Sequence, residues 1–108
     1  MTYFDRTLIG KNSVSFQIRN GTDRPRAIWI ELWSHDYTLL PLESMEIVVW
    51  GRAETPQVEI TENALSTVIV LSPPPGEMSF GEYIVHQYGV VLEPAYQRQA
   101  GLDAGLEY

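Results

Sequence analysis

The chain contains no cysteine. That excludes a disulfide scaffold, a thiolate nucleophile, a thiolate metal centre and a blue-copper site. Lysine is nearly absent too: Lys11 stands alone beside six scattered arginines, of which Arg24 and Arg26 are the closest together. A nucleic-acid partner needs a basic patch, and none can be assembled from these positions. There is no glycine-rich phosphate loop. No apolar run is long enough to span a bilayer, so no membrane role is expected. Residues 1–10 carry Asp5 and Arg6 and lack the apolar run of a signal peptide, so the expected location is cytoplasmic. Histidine occurs only at 35 and 86.

What is present is enough apolar material for a core. Of 108 residues 44% are hydrophobic, which fits one folded domain. The net charge of −7 points away from polyanions and towards basic proteins or cations. From Ser13 the apolar residues alternate: Val14, Phe16 and Ile18 take turns with Ser15, Gln17 and Arg19, the pattern of a half-buried strand. Further strands are expected over 27–33, 37–40, 45–50, 58–60, 65–71 and 82–92. Asn20, Pro41, Gly51 and Gly89 supply turn or bend signals between or within them. Residues 73–76, Pro-Pro-Pro-Gly, end one strand outright and offer a possible polyproline ligand. About seven short strands without a convincing helix predict an all-β fold, a single antiparallel β-sandwich, with a small β-barrel as second choice. Phe16, Ile18, Ile28, Ile30, Ile47, Val49, Ile69 and Leu71 form the expected core.

The β pattern stops at Pro94. Residues 1–93 therefore read as the sandwich and 94–108 as a flexible or weakly helical tail. Leu102 and Leu106 lie one helical turn apart, but Gly101 and Gly105 each weaken an isolated helix by roughly 1 kcal/mol. Such a tail should be dispensable for folding.

Few residues carry chemistry. Ser34-His35-Asp36 names a hydrolase triad, yet consecutive side chains in an extended chain diverge. His35 and His86 lack the spacing of a metal motif. Glu31 and Glu46 share a face only if their strands are neighbours. All three tryptophans lie within 26–50, and Glu31 sits between Trp29 and Trp33 at strand spacing. An unpaired carboxylate resists burial, so Trp29, Glu31 and Trp33 are expected on the wet face, with Ile28, Ile30 and Leu32 inward. Glu46 and Trp50 join that face if the two strands pair. The result would be an aromatic patch rimmed by carboxylates, suited to a protein partner or small ligand. The reading is a non-enzymatic binding module without a cofactor, monomeric or homodimeric, which neutralises a basic partner. Its alternative is a small metal-dependent or ligand-transforming barrel using His35 and His86.

Asn20, Pro25, the run Trp29-Ile30-Glu31-Leu32-Trp33 and Pro41 follow the spacing N-x(4)-P-x(3)-W-[IL]-E-x-W with a later proline turn. In this the chain resembles small uncharacterised bacterial β-sandwich proteins. The resemblance covers about a third of the chain and implies a sandwich fold, with no activity attached.

Overall fold

The computed structural model describes residues 2–5, 12–31, 33–51, 54–73, 76 and 82–108. They form two packed four-stranded sheets and one short helix. The strands are β1 (Ser13–Arg19), β2 (Arg26–Glu31), β3 (His35–Leu39), β4 (Ser44–Trp50), β5 (Gln57–Glu62), β6 (Ser66–Ser72), β7 (Glu82–Gln87) and β8 (Val90–Val91), followed by helix α1 (Arg98–Asp103). The first sheet runs β1-β4-β7-β8 and the second β3-β2-β6-β5. The sandwich is therefore present, and no barrel closes among the described residues. Leu32, Pro74 and Pro75, which figured in the sequence reading, lie outside the described residues.

One pairing departs from the antiparallel expectation. β2 and β6 run parallel, Ala27 beside Ser66 and Glu31 beside Val70. Hairpins force antiparallel pairing only on sequence neighbours. β2 spends one edge on β3, and the chain then crosses to the first sheet as β4 before returning as β5 and β6. Nothing ties β6 to the direction of β2.

Alternation decides what is buried. Ile28, Ile30, Ile47, Val49, Ile69 and Leu71 are fully sealed, Ile18 almost so, and Phe16 packs half-buried against them. Tyr37, Leu39, Met45, Val85 and Leu92 complete the core. Tyr88 and Gly89, both at positive φ, make the two-residue turn that joins β7 to β8, as the right-handed twist of hairpin strands favours. Thr2 to Phe4 lie along that hairpin, with Phe4 N–H donating to the Gly89 carbonyl at 2.6 Å. Asn20 is completely buried. Its amide donates to the Arg24 and Leu39 carbonyls, and its oxygen accepts from the Thr22 N–H and hydroxyl.

Residues 94–108, expected as a flexible or weakly helical tail, carry helix α1 and are held against the second sheet. Ala95 N–H donates to the Asp36 carbonyl and Thr38 N–H to the Tyr96 carbonyl, so the segment docks on β3 before α1 begins. The two glycines read as helix-weakening are what shape it. Gly105 (φ +90) ends the helix: its N–H bonds the Leu102 carbonyl while Leu106 N–H bonds the Gly101 carbonyl, a Schellman closure. The chain thus turns back, burying Leu106. Gly101 is buried because a Cβ there would lie 1.8 Å from the Tyr108 hydroxyl. The segment is a hook folded on the outside of the second sheet.

Candidate functional site

The five residues expected to share one aromatic face fall in three places. Trp29 and Glu31 project outward from β2 and are half-buried. Trp33 sits in the turn after β2 and is 42% exposed. Glu46 and Trp50 project from β4, which belongs to the other sheet, so they look out of the opposite side of the sandwich. The assembled face is corrected for that reason: β2 and β4 do not pair, because the chain changes sheet between β3 and β4.

Trp29 is partly covered by the hook. Arg98 clamps the buried Asp36 with both sides of its guanidinium, Nε at 3.0 Å from Oδ2 and Nη2 on Oδ1. That carboxylate holds the Arg98 proton still more firmly than usual. The Tyr108 hydroxyl bonds Thr38, and its ring lies tilted 6.2 Å from Trp29.

The opposite arrangement surrounds Trp33. Its ring leans on Tyr83 at 4.9 Å and lies near His35 at 6.3 Å. His35 Nδ1 shares a hydrogen bond with the Tyr83 hydroxyl, which meets the Tyr37 hydroxyl at 3.2 Å. Tyr37 belongs to β3 and Tyr83 to β7, so this chain of polar atoms bridges the two sheets. Beside it lies an open cleft of about 330 Å³ lined by His35, Tyr37, Tyr83, Leu92, Glu93 and neighbours. Burial pushes the Tyr37 proton affinity far up, with the Tyr83 hydrogen bond and the nearby Glu93 charge adding to it. Burial also raises Tyr83, opposed by its bond to Tyr37. Both hydroxyls therefore stay neutral donors at physiological pH. The cleft offers aromatic faces, neutral hydroxyls and one nearby carboxylate.

His86 lies on the other side of β7. Its Nε2 meets Glu46 at 2.8 Å, and Phe4 stacks on the imidazole at 4.4 Å, 11° from parallel. Its Nδ1 is buried with no hydrogen-bond partner among the described residues. The Nε2–H tautomer suits this setting, since it donates to Glu46 and leaves a lone pair, rather than an unmet N–H, in the sealed position. His35 points to Tyr83 between the sheets and His86 away from them, so the two histidines do not meet. Among the described residues no three His, Asp or Glu side chains gather as a metal site. Ser34, His35 and Asp36 part company as well: Ser34 reaches Glu31, at 3.5 Å, while His35 and Asp36 bond on opposite faces of β3.

Tyr37, Tyr83 and Glu93 were not singled out in the sequence. The signal was there in part, since Tyr37 alternates in phase with Leu39, and Tyr83 with Val85. Their convergence depends on β3 and β7 facing each other across the sandwich, which no local pattern encodes. No known protein family, curated protein or solved structure matches the chain. Among the described residues no helix is long and apolar enough to cross a membrane.

Proposed function

We propose that this protein is a non-enzymatic interaction module that binds a basic protein partner at its Trp33 end. One observation carries the reading: a tryptophan 42% exposed, propped on Tyr83 beside a cleft that holds Glu93. Indole and phenol faces attract ammonium and guanidinium groups, and a neighbouring carboxylate strengthens the attraction. The net charge of −7 steers basic partners towards the molecule from a distance. In this reading the protein acts in the cytoplasm, as a monomer or homodimer, and needs no cofactor.

The test is a titration with arginine-rich peptides, followed by tryptophan fluorescence. Saturable binding that weakens with salt is expected. Trp33→Ala should cost about 2 kcal/mol of it or more, as aromatic anchors do, while the melting midpoint shifts by the equivalent of about 1 kcal/mol or less. Unaltered affinity in that variant would remove the reading.

A further inference from the structure

We propose that the space between Trp29 and the C-terminal hook is a binding site for a small aromatic ammonium compound. It is independent of the Trp33 cleft and does not rest on the interaction reading. A cavity of about 390 Å³ lies between β2 and the returning arm of the hook. That falls within the roughly 300–1,000 Å³ of small-molecule pockets. The cleft beside His86 and Glu46, at about 230 Å³, falls below it.

The cavity has a structural cause. The hook is pinned through Arg98 to Asp36 and through Tyr108 to Thr38, both partners on edge strand β3. Between those pins the chain turns at Gly105 and passes over β2 towards the start of β6. Ala27, Trp29 and Ser66 line the sheet side, and Gly105, Leu106 and Glu107 the hook side. Leu65, more than half exposed, stands at the lip.

The lining selects the ligand class. Tyr108 approaches Trp29 at a tilt and leaves the indole only half-buried, so part of its surface is available to a guest ring. Ala27, Leu65 and Leu106 make the rest of the wall apolar. The polar side chains are those of one hydroxyl residue, Ser66, and one acidic residue, Glu107, and among the described residues no basic one lines the space. A flat ring gains from stacking on the indole, and an attached ammonium gains from Glu107 and from the π face. A neutral ring uses only the first, an alkyl ammonium only the second.

Tryptamine, indole and butylammonium are the probes, read on the three indole N–H signals of the ¹⁵N-labelled full chain, with Trp29 assigned from Trp29→Phe. Tryptamine should move the Trp29 signal saturably and at lower concentration than any shift of Trp33 or Trp50, and should bind tighter than either fragment. Glu107→Gln, at an exposed position, should weaken tryptamine by about threefold and leave indole unaffected. Three results would overturn the proposal: no saturable shift into the millimolar range, a shift confined to Trp33 or Trp50, or indole binding as tightly as tryptamine. Failure here leaves the Trp33 reading standing, since its readout is a different indole and a peptide probe.

Discussion

Trp29 and Trp33 stand four residues apart on one stretch of chain, and the molecule treats them in opposite ways. Trp29 belongs to β2, between Asp36 on β3 and Val68 on β6, and its outer side is roofed by a segment from the far end of the chain. Trp33 stands past the end of β2, where the chain leaves the ladder, and rests on Tyr83 of the opposite sheet with two-fifths of its surface open. The same side chain is a wall in one place and an outlook in the other. The difference teaches that an indole's role here is set by what the chain lays over it, not by its own strand.

Both rings depend on the inner side of β2, so the first way to break the comparison is to damage that common floor. Ile30→Ala, at a fully sealed position, should cost about 2–5 kcal/mol in urea melts. A cost under about 1 kcal/mol would mean that the inward and outward faces are reversed, and the contrast with them.

Lifting the roof comes next. Gly101→Val places side-chain atoms where the Tyr108 ring now sits, and the hook must let go. The loss should be about 2–3 kcal/mol, the scale of one buried leucine or aromatic side chain returned to water. Iodide quenching of Trp29 should rise while that of Trp33 stays put, read in variants retaining one tryptophan. Equal quenching of Trp29 before and after would show that the hook does not protect it.

Tyr37→Phe sharpens the other half. It removes the hydroxyl that meets Tyr83 and should cost about 0.5–1.5 kcal/mol at neutral pH. Burial raises the Tyr37 proton affinity above that of the unfolded chain. Its stabilising contribution is therefore complete below pH ~10, the range where an unperturbed tyrosine titrates, and declines as pH rises beyond it. The unaltered protein should lose stability above that pH, and the variant should lose less over the same interval in alkaline melts. Identical slopes would remove Tyr37 as the cause.

The smallest effect on folding is expected at the outlook itself. Trp33→Ala should shift the melting midpoint by the equivalent of about 1 kcal/mol or less, because much of the ring already meets water. A larger loss would make Trp33 as structural as Trp29.

The sandwich was legible wherever the period of two was regular. Val14, Phe16 and Ile18 in β1 announce their face by alternation alone, Ile28 and Ile30 in β2 only with the help of Glu31 on the other face, and each lies on the side expected. β3 was harder: the strand expected over 37–40 left out His35 and Asp36, which look like loop, yet Asp36 and Thr38 are buried because the hook comes down on them. The hook itself was hidden by glycines. Gly101 and Gly105 read as helix-weakening in isolation, but one makes room for Tyr108 and the other reverses the chain. The aromatic site was only half visible, since nothing near Trp33 says that Tyr83, some fifty residues on, will support it. Nor does any feature of 45–50 say that Glu46 and Trp50 belong to the other sheet.

The parallel pairing of β2 with β6 has a kinetic consequence. Ala27 meets Ser66 only after roughly 40 intervening residues are gathered in, and loop closure must come before any contact across that seam can form. β4 reaches β7 over a comparable stretch, Glu46 to His86. Adjacent strands β2–β3, β5–β6 and β7–β8 can zip early, but the middle of each sheet depends on distant partners finding one another. Such a chain is expected to fold in about milliseconds to seconds rather than microseconds. The meeting of hairpins β2–β3 and β5–β6 along the parallel seam of β2 and β6 is the expected slow step.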